Sequence, residues 1–73
     1  MGYLAWKGDE LMIPAAGVGM SDKAALHLCS FDGAPIMQVE RTLLVSETWA
    51  RKQKPEWTEV FDKMRDIALG FKD

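Results

Sequence analysis

Lys54-Pro-Glu-Trp-Thr-Glu-Val-Phe-Asp-Lys-Met-Arg-Asp-Ile-Ala-Leu-Gly-Phe-Lys72 is the stretch whose reading decides the fold. Its apolar side chains, Trp57, Val60, Phe61, Met64, Ile67, Ala68 and Phe71, recur at intervals of three and four, which places them on one stripe of an α-helix. Glu56, Thr58, Glu59, Asp62, Lys63, Arg65 and Asp66 fall on the opposite side. Pro55 suits the first helical position, where its missing N–H is not needed. Glu56 and Glu59 sit near the positive end of the helix dipole. Gly70 is placed to end the helix in a left-handed conformation. The spacing predicts a helix over 55–70, and a helix this two-sided needs a platform.

Working back, Lys23 to Ser46 reads as a β-hairpin turning at Asp32-Gly33, a dipeptide suited to a type I′ turn. That register pairs Leu28 with Met37 and Leu26 with Val39 on one face, and Cys29 with Ile36, His27 with Gln38 and Ala25 with Glu40 on the other. Leu26, Leu28, Met37, Val39, Leu43 and Val45 then form the platform. Ser46 is placed to cap a short helical turn through Glu47, Thr48 and Trp49. Lys54-Pro55 interrupts that turn, because a residue before proline avoids the α conformation. Tyr3 to Pro14 reads as another hairpin, closed by a Gly-first turn at Gly8-Asp9. It pairs Leu4 with Ile13 and Trp6 with Leu11 on one face, and Ala5 with Met12 on the other. Pro14 ends the second strand or puts it at an edge. Residues 15–22, with Gly17-Val18-Gly19, read as a flexible connection. The third glycine of a nucleotide-binding loop is replaced by Asp22, and no amphipathic helix is expected after it. The expected fold is one α+β domain over 1–73. Two hairpins, 3–14 and 23–46, supply four antiparallel strands packed against the C-terminal helix, as one sheet or a small barrel.

The 73 residues allow one core and little room for an enclosed active site. Hydrophobic residues at 48% and charged residues at 27% are globular values. No apolar run reaches the length of a membrane span, the N-terminus lacks the order of a signal peptide, and a single cysteine, Cys29, excludes an internal disulfide. A cytosolic protein is expected. Residues 1–45 carry three basic and five acidic side chains and residues 46–73 carry six of each, giving a net charge of −2. Polynucleotide binding and DNA mimicry are therefore not favoured, and a protein partner is the better expectation.

Reactive groups are sparse. His27, the only histidine, and Cys29 lie two apart on the expected strand and so point to the same side, a poor arrangement for a nucleophile–base pair. No serine-nucleophile, Walker or metal-binding helix motif is present, so neither catalysis, a metal site nor a cofactor is expected. The aromatics say more. Trp57, Phe61, Phe71 and Trp6 belong in the core, whereas Tyr3, Phe31 and Trp49 have no obvious place inside. Spare aromatics near arginine are the usual anchors of protein interfaces. Arg51, Lys52 and Lys54 form the one basic cluster.

The N-terminal Met-Gly-Tyr-Leu-Ala-Trp, the Lys-Pro-Glu-Trp-Thr-Glu-Val-Phe run from Lys54 to Phe61 and the overall length resemble the small RNA-polymerase-binding transcription regulators of Xanthomonas bacteriophage. The resemblance covers the whole chain without a diagnostic motif. It implies a factor of the host bacterial cytoplasm that engages the β′ N-terminus and β flap of the polymerase, displaces the σ factor and acts as an antiterminator, needing no small-molecule substrate. From the residues themselves, Tyr3, Trp6 and Met12 are expected to dock an apolar or extended peptide. Trp49, Arg51, Lys52 and Lys54 are expected to meet acidic side chains. A monomer is expected. The alternatives are a nucleic-acid module using the Arg51–Lys54 cluster with Trp49 as stacking residue, and an adaptor for some other protein.

Overall fold

The computed structural model describes residues 3–70. The expected α+β fold is present: a four-stranded antiparallel sheet with the C-terminal helix packed against it. The strands are β1 (Ala5–Lys7), β2 (Glu10–Pro14), β3 (Ile36–Val39) and β4 (Thr42–Ser46), and the helices are α1 (Asp22–Asp32), α2 (Glu47–Gln53) and α3 (Thr58–Leu69). Both hairpins join one sheet in the order β1-β2-β4-β3.

The first hairpin forms in the expected register, Trp6 opposite Leu11 and Ala5 opposite Met12. Gly8 takes the positive φ of 65° that its turn requires. The second hairpin is shorter than expected. Its strands cover 36–46, and residues 22–32 form α1 instead of a strand. The alternation Leu26-His27-Leu28-Cys29 imitates a strand period. Yet Asp22–Asp32 contains no β-branched residue and is rich in Ala and Leu, whereas Ile36–Ser46 holds Ile36, Val39, Thr42 and Val45. Local capping agrees: Ser21 Oγ accepts the Ala24 N–H at 3.2 Å. Gly33, at φ 70°, closes the helix by donating its N–H to the Cys29 carbonyl. Asp32-Gly33 is thus a helix end, and the hairpin turns at Glu40-Arg41. Glu40, φ 54°, is the one non-glycine positive φ among the described residues, a strained position. The Gln38 side chain braces it by donating to the Glu40 carbonyl at 2.9 Å.

One face of the sheet, with Leu4, Trp6, Leu11, Ile13, Leu43 and Val45, carries the main core. All three helices cover that face: α1 through Ala25 and Cys29, α2 through Trp49 and Ala50, α3 through Phe61 and Ala68. Leu26 and Leu28, expected in the platform, are exposed on α1, and Met37 and Val39 are half-buried. The connection after β2 is also ordered. Ala16–Val18 form a single 3-10 turn with Ala15 and Val18 buried. A helix does follow it. Gly19, φ 76°, fits against the Trp57 indole so closely that an added Cβ would lie 3.0 Å from the ring, so the glycine serves packing.

Ser46 caps α2 as expected, its Oγ accepting the Trp49 N–H at 3.3 Å and donating to Glu10 Oε2 at 2.6 Å. Pro55 opens a 3-10 turn, Pro55–Trp57, that leads into α3. Gly70 ends α3 at φ −66°, not in the left-handed region, by donating to the Ile67 carbonyl. Of the expected stripe, Phe61 and Ala68 are fully buried and Trp57 and Met64 half-buried, while Val60 and Ile67 are exposed. Phe71 lies outside the described residues. Two residues expected on the solvated side, Asp62 and Arg65, turn instead toward α2.

Candidate functional site

Most residues expected to bind a partner are occupied within the fold. Met12 is fully buried. Trp49 is buried and donates its indole N–H to Asp32 Oδ2 at 2.8 Å, tying α2 to the end of α1. Trp6 is half-buried, donates to the Ala68 carbonyl at 3.3 Å, and carries the Arg65 guanidinium over its ring. Arg51 bonds Glu47 at 2.9 Å and Asp62 at 2.8 Å and lies over the Phe61 ring. The Lys54 ammonium sits 5.4 Å from the Trp57 ring centre. Tyr3 and Lys52 are exposed. The Tyr3 hydroxyl donates to the Glu40 carboxylate, which first and foremost pushes the phenol's pKa up. Of the basic cluster only Arg51 is ion-paired among the described residues, and the buried Trp49 cannot offer a face for stacking on a base.

Sequence reasoning missed the residue around which this seam is built. Glu47 is 3% exposed and accepts from Arg65 Nε at 3.0 Å, from Arg65 Nη2 and from Arg51 Nε. The Arg65 hydrogen bond is the main cause that holds its carboxyl below the ordinary glutamate range; burial opposes it and Arg51 adds to it. Two sequence signals pointed here: Ser46 as a cap, and Glu47 and Arg51 four apart.

Among the described residues the most exposed large apolar side chain, Phe31, is on α1. Only Ala25 and Cys29, one turn apart, are buried, so the helix rests on its small residues and turns its large ones outward. Phe31 is 86% exposed and Leu28 38%. With Ala24 they follow i, i+4, i+7 and form one row; Leu26, also exposed, lies on the other flank. The sequence flagged Phe31 as lacking a place inside, but the strand reading hid Leu28. As neighbours on a helix, His27 and Cys29 diverge. His27 is exposed and Cys29 is buried. Burial, with Asp32 adding, pushes the thiol's pKa up and away from reactivity.

Among the described residues no group of three or more His, Cys, Asp or Glu could hold a metal ion, and no helix is long and apolar enough to cross a membrane. An open concavity of ≈ 470 Å³ lies at the start of α3, lined by Glu56, Trp57, Thr58, Glu59 and Val60. A second, of ≈ 490 Å³, is lined by Tyr3, Glu40, Arg41 and Thr42. Comparison with family models, with curated proteins and with solved structures finds no match for this chain.

Proposed function

We propose that this chain is a non-catalytic phage regulator that binds host bacterial RNA polymerase at the β′ N-terminus and β flap, displaces the σ factor and acts as an antiterminator. The reading rests on the whole-chain resemblance. The observation that supports a protein-binding role is the Leu28–Phe31 row on α1, with Phe31 at 86% exposure. A helix capped at both ends holds these anchors rigidly, so little conformational freedom is lost on docking. An apolar residue so exposed contributes nothing to the core. As an aromatic in a partner's groove it would be of the kind that dominates interface energies. Tyr3 and Lys52, exposed elsewhere, are available to widen the contact. Action in the host cytoplasm as a monomer follows from this reading.

The test is binding of the full chain to purified bacterial RNA polymerase holoenzyme and to its isolated β′ N-terminal and β flap fragments, with σ release followed in parallel. The proposal expects retention of the polymerase and of at least one fragment, with promoter-specific initiation reduced. A folded chain that never retains polymerase would overturn it.

A further inference from the structure

On α3, Val60 and Ile67 stand seven residues apart on one exposed row, with the half-buried Met64 between them and Ile67 53% exposed. Beside that row lie Glu56, Glu59 and Asp66, none of which makes an ion pair among the described residues, and a single amine, Lys63. Asp62, on the far flank, is already held by Arg51. The row also reaches the concavity of ≈ 470 Å³ at the start of the helix, lined by Val60 and Trp57 together with Glu56, Thr58 and Glu59, with the Lys54 ammonium over the Trp57 ring.

We infer that this ridge is a docking site for a basic amphipathic segment of another protein, aliphatic side chains seated on Val60 and Ile67 and cations on Glu56, Glu59 and Asp66. Charge complementarity selects this occupant. A second copy docked ridge to ridge would set three carboxylates and one amine against their own like. A nucleic acid or an anionic membrane would meet the same repulsion. The ridge is on a different helix from the Leu28–Phe31 row, so the inference stands or falls independently of the polymerase reading.

The experiment is an NMR titration of the full chain at low salt with a synthetic Leu/Lys amphipathic peptide, repeated with its Leu/Glu counterpart. Amide shifts should centre on Val60, Lys63 and Ile67, and the Leu/Glu peptide should not bind. Glu59→Lys should weaken binding by about fivefold or more, whereas Asp22→Lys, with the same change in net charge, should change it less than about twofold. Val60→Ser with Ile67→Ser should remove binding while the fold, followed by circular dichroism, is kept. Shifts centred on another face, equal binding of the Leu/Glu peptide, or equal losses from Glu59→Lys and Asp22→Lys would each overturn the inference. So would self-association through the ridge in the absence of peptide.

Discussion

Phe61→Ala is expected to cost about 3–5 kcal/mol, the range for removing a fully enclosed phenylalanine. Phe61 is fully buried where α3 meets the sheet, among Leu11, Ile13, Leu43 and Val45 of the core, and its ring also carries the Arg51 guanidinium at 5.4 Å. A domain this small has roughly 0.05–0.15 kcal/mol of stability per residue, so the variant should be partly unfolded at 37 °C or close to it. Chemical denaturation with the midpoint read by circular dichroism checks this. Trp57→Ala, at a half-buried position, should cost less, about 2 kcal/mol. Equal losses from the two substitutions would mean that the packing of α3 is misassigned.

Glu47→Gln should produce the second large loss, and one that depends on pH. The carboxylate is buried while its arginine partners, at 31% and 40% side-chain exposure, reach solvent. Breaking a fully buried pair costs about 3–5 kcal/mol, and this partial exposure discounts it to about 2 kcal/mol at neutral pH. The folded pKa of Glu47 is lowered, so its contribution is fully present above the unfolded glutamate value of about 4.3 and is lost as pH falls through the lower folded value. The gap between wild type and variant should therefore be widest at neutral pH and close in strong acid. Urea unfolding at neutral pH and well below the glutamate range measures it. A gap that stays constant would show that the arginines contribute through packing, not charge.

The parts of the fold legible in the sequence are those where local chemistry and tertiary packing agree. Gly8-Asp9 set the register of the first hairpin, Ser46 set the start of α2, and the three-four spacing set α3. Residues 23–32 were misread because Leu26 and Leu28 alternate with His27 and Cys29. A period of two over four residues outweighed the absence of β-branched side chains and the paired signals of Ser21 and Gly33. That one substitution of helix for strand displaced the expected platform. It also separated His27 from Cys29 and moved Leu28 to the surface, beside Phe31. The expected contact residues fared worse for a general reason: an aromatic or arginine in a small domain is as serviceable inside as outside. Trp49 found Asp32 and Arg65 found Glu47 across the chain, meetings that no local pattern encodes, whereas the Glu47–Arg51 pair, four residues apart on α2, is the one part of the seam with a local signal.

If the chain acts as proposed, the outward row of α1 does the binding while the sheet and α3 hold it in place. The direct measurement is the affinity of the Leu28→Ser, Phe31→Ser double variant for bacterial RNA polymerase holoenzyme beside its thermal midpoint. Both side chains are substantially exposed, so the midpoint should stay near wild type, as surface substitutions usually leave it. Affinity should fall by about 30-fold or more, the loss typical of an interface hot spot. A variant that melts like wild type and binds polymerase equally well would show that this row is not the binding surface.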